Sequence, residues 1–442
     1  NSVDEKDNMV FKEFSWIPGL YKCFDEGIVN ARDHAIRMEQ KKINKESKIV
    51  PVKSIDIEIN KDNGMISIHN DGNGIDVVEH PEYKIWIPEL IFGHLRTSTN
   101  YNKEEKKIVG GKNGFGFKLV LIYSTWGMIE TVDHIRGLKY KQEFKNNLSE
   151  ICKPKITKYK GKPYTKVSWI PDYKKFGCES GLTNDMYYLL KKRTYDVAAV
   201  TDKSIKVSFN KKTVPVKTFE KYVDMYVGTK TETKRIYEKA NERWEYAVCV
   251  SPLEEFTQVS FVNGIYTSKG GKHVDYIMNQ VIKKLTDYIE KKKKVKVKPT
   301  TIKEQLMLFV NCVVENPAFD SQTKDYMNTS VAKFGSSCKV SDKFIEKVAK
   351  LGIMEQALSL NEVKQTKEAK KTDGKKTRSV RGIPKLIDAN YAGSAKSGDC
   401  ILILCEGDSA KSGIVSGLSS SDRNYYGVYP LKGKLMNVRD ST

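Results

Sequence analysis

Leu20, Phe24, Ile28, Ala31 and Ala35 recur at helical spacing behind the start signal Pro18-Gly19, and this period predicts an amphipathic helix over 19–39. The period then falls from 3.6 to 2. Ile55, Ile57 and Ile59 alternate with polar residues over 54–60, and Ile66 and Ile68 do so over 65–70, which predicts two strands joined by the turn formers Lys61-Asp62-Asn63-Gly64. The apolar run Leu119-Val120-Leu121-Ile122 predicts a helix continuing through Trp126, and further strands are expected at 128–133, 138–144 and 165–170, with a helix at 184–199. Helices laid on a mostly antiparallel sheet define an α+β layer over residues 1–204.

A second αβ unit is expected over 205–360, with strands at 205–209, 246–251 and 257–263, a long helix over 272–290 and apolar helices at 302–315 and 342–358. Residues 361–398 are expected to be a basic linker, because 361–382 are Lys-rich with almost no apolar content. Beyond it, Cys400-Ile401-Leu402-Ile403-Leu404-Cys405 is a continuous apolar strand of the kind buried in parallel sheets, and Glu406-Gly407-Asp408-Ser409-Ala410 turns into a helix, opening a further unit over 399–442. No internal repeat is present.

Composition narrows the class. The 442 residues suffice for two or three domains, and the hydrophobic share of 39% suits a globular protein on the polar side. No run approaches the roughly 18 apolar residues of a membrane span, and no targeting segment opens the chain, which argues against secretion. The chain begins at Asn1 and ends at Thr442 within ordinary-looking sequence, so a fragment of a longer protein is expected. Lys and Arg number 76 against 55 Asp and Glu, a net charge of +21 that favours a polyanionic partner, nucleic acid or an anionic membrane surface, with a lysine-rich bias that merely aids solubility as the alternative. The eight cysteines are scattered without Cys-x-x-Cys or zinc spacing, as in buried thiols of a reducing compartment.

Three segments carry candidate chemistry. Gly110-Gly111-Lys112-Asn113-Gly114-Phe115-Gly116-Phe117-Lys118 brings close-approaching glycines and two lysines to the start of a helix, as a phosphate cradle does, but at spacing other than a Walker loop. Alone, the same loop reads more often as a tight connection. Glu26, Asn30 and Asp33 stand at i, i+4 and i+7 on one face of the first helix, either as a solvated polar face or as a general base beside a hard amide ligand for Mg²⁺. Asn70-Asp71-Gly72-Asn73-Gly74 follows a strand, either as a turn or as a polar group placed to read a base edge with glycines leaving room for a purine.

These segments, in this order, resemble the Bergerat (GHKL) ATP-binding fold shared by type II DNA topoisomerases, heat-shock chaperones, mismatch-repair ATPases and histidine kinases. The resemblance makes Glu26 the base that activates water, Asn30 the Mg²⁺ ligand, Asn70 and Gly74 the adenine side, and Gly111, Lys112, Asn113, Gly114, Phe115, Gly116, Phe117 and Lys118 the lid over the phosphates of ATP. Phe14-Ser15-Trp16-Ile17-Pro18-Gly19-Leu20-Tyr21-Lys22, Leu95-Arg96-Thr97-Ser98-Thr99-Asn100-Tyr101, Ser260-Phe261-Val262-Asn263-Gly264, Thr267-Ser268-Lys269-Gly270-Gly271-Lys272-His273, Phe319-Asp320-Ser321-Gln322-Thr323-Lys324 and Leu402-Ile403-Leu404-Cys405-Glu406-Gly407-Asp408-Ser409-Ala410-Lys411 are similar to eukaryotic-type topoisomerase II. That branch implies a Bergerat domain, a ribosomal-protein-S5-like transducer and the first strand and helix of a TOPRIM domain.

The same resemblance implies that Ser98, Thr99 and Asn100 line the sugar and phosphate side, and that Gln322, Thr323 and Lys324 reach the γ-phosphate from the second domain. It places Lys291, Lys292, Lys293 and Lys294 on double-stranded DNA and gives Glu406 to a TOPRIM Mg²⁺ site, with the cleavage tyrosine lying elsewhere. ATP-dependent homodimers and a nuclear location follow, or a cytoplasmic replication site for a virus-encoded member, with neither membrane nor zinc. Phe117 stands where the family has a small residue, His34 where it has Asn, and the segment before Phe14 is short for a subunit-exchanging strap, so weak dimerisation is expected. A Bergerat ATPase of another branch is the alternative, as is a DNA-binding module without turnover. Gln322-Thr323-Lys324 and Glu406-Gly407-Asp408 argue against the former, Glu26 against the latter.

Overall fold

The structure is a computed structural model that describes residues 1–94, 116–228, 234–251, 255–355, 357–358, 385–393, 395–419 and 421–431. It divides into two units, Asn1–Asn361 and Glu362–Thr442.

The first unit opens on a two-stranded ribbon, β1 (Ser2–Val3) with β2 (Met9–Val10), ahead of the long helix α1 (Pro18–Ile43). The predicted hairpin follows as β3 (Ser54–Ile59) and β4 (Ile66–Asp71), then the short helices α2 (Ile87–Gly93) and α3 (Gly116–Ile122). Next come β5 (Ser124–Asp133), β6 (Leu138–Lys145), β7 (Glu150–Ile151), β8 (Lys155–Lys158), β9 (Tyr164–Pro171), α4 (Asn184–Ala199), β10 (Lys206–Phe209), β11 (Lys212–Thr213) and α5 (Phe219–Val227). The strands form one sheet in the order β11-β10-β3-β4-β9-β5-β6-β7, with β8 also on β6. The apolar face of α1, with Leu20, Phe24, Ile28 and Ala35 all at most 5% exposed, closes on Ile55, Ile57, Ile66 and Ile68.

The second sheet is built from β12 (Arg235–Asn241), β13 (Trp244–Val250), β14 (Thr257–Val262), β15 (Ile265–Tyr266) and β16 (Leu306–Cys312) in the order β12-β13-β16-β14-β15. Helices α6 (Lys272–Lys293), α7 (Pro299–Lys303) and α8 (Asp342–Val348) accompany it. Both of its faces are covered. Tyr246, Val248, Leu308 and Val310 join a core with α6 and α8, whereas Ala247, Cys249, Val259, Phe261 and Phe309 join the core that continues through α5 into the first sheet.

Four expectations about elements of the first unit are corrected. The helix expected at 302–315 is α7 followed by strand β16, because a seven-residue run, apolar but for Asn311, in the middle of a sheet covered on both sides has no period that separates it from a buried helix. The helix expected to run through Trp126 ends at Ile122, and β5 begins at Ser124, where Ser124 Oγ donates to Val120 O. Residues 205–209, expected to open the second unit, form β10 in the first sheet, parallel to β3. The helix expected over 342–358 is broken at Gly352, whose φ is 96°.

In the second unit β17 (Ile401–Glu406) lies parallel to β18 (Tyr426–Leu431), with α9 (Gly407–Gly417) between them in sequence. The strand expected to be buried is not: Ile401, Leu402 and Leu404 are 53%, 53% and 54% exposed among the described residues. Residues 385–393, inside the expected linker, belong to this unit through a bridge between Ile387 and Val428 and an edge contact between Tyr391 and Tyr425.

Candidate functional site

The polar side of α1 faces the start of α3 and a loop of the second sheet's layer, and these three elements meet at Glu26. A Cβ placed on Gly116 would stand 2.3 Å from Glu26 Oε2, so the backbone at the head of α3 lies against the carboxylate as only glycine permits. Lys22 Nζ, one turn earlier on α1, is 3.1 Å from Glu26 Oε1. Lys324 Nζ, from the loop after β16, is 3.7 Å from the same oxygen. Both Glu26 and Lys324 side chains are 12% exposed. Glu26 Oε1 is buried between these two ammonium groups.

Lys324 owes its position to its loop. Its backbone is left-handed, with φ of 59°, and its N–H donates to Ser321 O. Thr323 Oγ1 donates to Asp325 Oδ2 at 2.8 Å, and Asp325 O in turn accepts from Lys269 N. Met327 bridges to both Gly271 and Phe319, anchoring the loop at the head of α6. Thr323 therefore holds the loop, while Gln322 is exposed.

The remaining predicted residues divide. Asn30 is exposed one turn beyond Glu26, but Asp33, expected on the same polar face, is buried at 1%. Asn70 is buried at the end of β4, and its Nδ2 donates to Asp71 O at 2.9 Å. Asp71 Oδ1 accepts from the N–H groups of Lys53 and Ser54, and Asn73 Oδ1 accepts from Val50 N, so these two side chains shape the turn. Gly74 has a packing reason to be glycine: a Cβ there would lie 2.0 Å from Val132 O. His34 Nε2 donates to Asn73 O at 2.8 Å, tying α1 to this turn, and burial holds its pKa down at about 4.

Phe117 is core. Its ring packs edge-on against Phe92 and Trp169, with centroids 5.4 Å away in each case. Gly27 on α1 makes the room, since a Cβ there would come within 2.8 Å of Ile68, 3.2 Å of Trp169 and 3.5 Å of Phe117. The large residue expected in the lid is thus matched by a missing side chain on the facing helix. Lys118 is buried at 2%, and burial draws its ammonium pKa below the ordinary value. Ser98, Thr99, Asn100, Gly111, Lys112, Asn113, Gly114 and Phe115 lie outside the described residues.

Lys291, Lys292 and Lys293 form the last turn of α6, and Lys294 caps it with φ of 57°. All four are exposed, where cations also complement the negative end of the helix dipole. Glu406 ends β17 and is exposed, and no group of three His, Cys, Asp or Glu able to hold a metal occurs among the described residues.

Sequence reasoning missed a buried charge cluster beneath Glu26. Asp25 is 4% exposed, with Lys22 Nζ at 2.9 Å from Oδ2 and Arg193 Nε at 2.7 Å from Oδ1. Burial alone would raise the Asp25 pKa, but Lys22 and Arg193 outweigh it and hold the carboxyl well below its usual range. The i,i+4 spacing of Lys22 and Glu26 was a legible signal, whereas nothing local linked Asp25 to Arg193, 168 positions away.

A family model described as DNA gyrase B matches residues 218–378. The chain is 44% identical over 446 residues to DNA topoisomerase 2 of Acanthamoeba polyphaga mimivirus, covering 100% of this chain and 34% of that protein. It is 45% identical over 449 residues to DNA topoisomerase 2 of Arabidopsis thaliana, covering 100% of this chain and 30% of that one. The chain thus spans about a third of the length of the curated relatives it matches. The crystal structure of the ATPase region of Saccharomyces cerevisiae topoisomerase II matches with a TM-score of 0.75 and 40% identity, over 82% of this chain and 91% of that one. The ATPase and transducer domains of DNA topoisomerase II from Balamuthia mandrillaris match at 0.74 and 37%, over 83% and 91%. With an α+β sheet carrying α1, a second sheet whose loop reaches back to Glu26, and this identity along its length, the chain belongs to the eukaryotic-type DNA topoisomerase II family, in the region of its ATPase and transducer domains.

Proposed function

We propose that this chain is the ATP-driven gate of a type IIA DNA topoisomerase, binding ATP with Mg²⁺ between α1, the end of β4 and the head of α3. ATP binding closes the gate as a homodimer, hydrolysis resets it, and one DNA duplex is thereby passed through another. The observation that carries the reading is the convergence at Glu26 of a buried carboxylate oxygen, the glycine head of α3, and a lysine from the second sheet's layer. A carboxylate so placed can take the proton of an attacking water once Lys324 moves away from it.

Lys324 gives the cycle its coupling. Paired with Glu26, its ammonium stands against the oxygen a water would approach; transferred to the γ-phosphate, it frees that oxygen and stabilises charge on the phosphoryl group. The buried ammonium of Lys118 suits the same anion. The residues present fit a magnesium ion: Asn30 offers an exposed hard amide oxygen, and Mg²⁺ commonly takes only one or two protein ligands beside waters and phosphate oxygens. When bound, the ion would neutralise charge on the phosphates. Asn70 is the proposed adenine contact.

Lys291, Lys292, Lys293 and Lys294 are proposed as a sequence-independent contact to duplex DNA, since lysine contacts to phosphate carry no base information. Glu406 is proposed as one ligand of a Mg²⁺ site for DNA cleavage, incomplete with this carboxylate alone, and the setting as the nucleus or a viral replication site. The test of the central reading is Glu26→Gln, which keeps the shape of the side chain. Nucleotide binding, followed by a fluorescent ATP analogue, is expected to persist while ATP turnover disappears. Turnover near the unsubstituted rate would overturn it.

A further inference from the structure

We infer that Asp25 and Arg193 are positioning residues that tie Glu26 to the Asn263-Gly264 turn of the second sheet, giving that layer a second hold on the catalytic base besides Lys324. The inference rests on the ATPase reading above.

The connection is continuous. Arg193 Nη2 donates to Gly264 O at 2.8 Å, and Arg193 Nε to Asp25 Oδ1 at 2.7 Å. Lys22 Nζ stands 2.9 Å from Asp25 Oδ2 and 3.1 Å from Glu26 Oε1, so one ammonium is shared between the two carboxylates. Arg193 is completely buried, and Asp25 and Lys22 side chains are 5% and 14% exposed. In so dry a place each ion depends on its partners, because removing one leaves the next uncompensated. The turn itself approaches closely: Gly264 has φ of 77°, and a Cβ there would come within 2.6 Å of Arg32 Cδ. Arg32 is also buried, and its Nε and Nη2 donate to Val200 O at the end of α4.

The two holds belong to one piece of the second layer. Asn263 Nδ2 donates to Val314 O at 2.9 Å, and its Oδ1 accepts from Val314 N at 2.8 Å, so the turn is clamped to the exit of β16. From Val314 the chain runs on into the loop that carries Lys324. A displacement of this layer therefore acts on Glu26 at two points: Lys324 leaves Oε1 directly, and the loss of Gly264 O shifts Arg193, then Asp25, then the ammonium shared by Lys22. Asp25 and Arg193 reach no reacting atom and act only through Lys22.

The experiment is steady-state ATP hydrolysis by this chain, with nucleotide affinity and thermal midpoint measured in parallel, for Asp25→Asn, Arg193→Met and Arg193→Lys. Asp25→Asn preserves shape and removes the charge. It is expected to lower kcat by on the order of tenfold to a hundredfold, as for a reacting group misplaced by about 1 Å, with KM and nucleotide affinity within about twofold. Arg193→Lys is expected to regain part of the rate lost in Arg193→Met. Combined with Lys324→Ala, Asp25→Asn is expected to cost less than the product of the two single losses, because both holds serve one base. A folded Asp25→Asn variant with the original kcat, equal losses in Arg193→Met and Arg193→Lys, or a multiplicative double variant would overturn the inference while leaving the ATPase reading intact. An unsubstituted chain without ATPase activity would instead remove the reading on which it rests.

Discussion

Gly116→Ala separates catalysis from stability at one atom. The added Cβ would stand 2.3 Å from Glu26 Oε2 and 3.1 Å from Cδ, against an ordinary contact of 3.4 Å or more, so the carboxylate must retreat by roughly 1 Å. Gly116 begins α3 without a positive φ, so alanine fits the backbone and its helix preference contributes up to about 1 kcal/mol in favour of folding. A misplacement of about 1 Å in a reacting group costs on the order of a hundredfold in rate. The expected result is therefore an unchanged or slightly raised unfolding midpoint, together with kcat reduced by about two orders of magnitude. The assay is coupled ATP hydrolysis alongside thermal unfolding of the same preparations. Turnover at the original rate would refute both the contact and the role of Glu26; a large fall in the midpoint would refute the assignment of the effect to the carboxylate.

Three further outcomes are expected. Phe117→Ala, which empties the space between Phe92 and Trp169, is expected to destabilise the first unit by about 3–5 kcal/mol in denaturant unfolding, and an unchanged midpoint would return Phe117 to the lid. His34 is held neutral by burial, with pKa near 4 against an ordinary 6.5, so the unfolded chain binds the extra proton between those values. The stability this provides is present above pH 6.5 and lost as pH falls towards 4, about 3 kcal/mol in all, and His34→Gln is expected to flatten the unfolding free energy in that window; an unaltered slope would refute it. Replacing Lys291, Lys292, Lys293 and Lys294 by Gln is expected to reduce the slope of log binding constant against log salt for duplex DNA by up to about 3.6, and an unchanged slope would leave the lysines as caps of the α6 dipole alone.

Much of the site was legible because its signals are local. Pro18-Gly19 and the spacing of Leu20, Phe24 and Ile28 determine α1 and its buried face, and with it the relative placement of Glu26 and Asn30 along one helix. The alternation of Ile55, Ile57 and Ile59 against Ile66 and Ile68, with Asn63-Gly64 between, determines the β3–β4 hairpin and puts Asn70 at its far end. These are matters of backbone period and turn chemistry, which neighbouring residues settle among themselves.

Facts that depend on partners distant in sequence came from packing instead. The run Leu306 to Cys312 became a strand because β13 and β14 flank it and both of its faces are covered. Phe117 turned inward because Gly27, 90 positions earlier, leaves its ring a place. Asp25 could be buried as an anion only where Arg193 and Lys22 meet it. Lys324 meets Glu26 through the return of a loop of the second sheet's layer to α1. Local periodicity accounts for α1 and the β3–β4 hairpin and for the chemistry carried on them. Which charges face one another in the dry space around Glu26 was left to packing, because desolvation and ion pairing depend on distance through space and not along the chain.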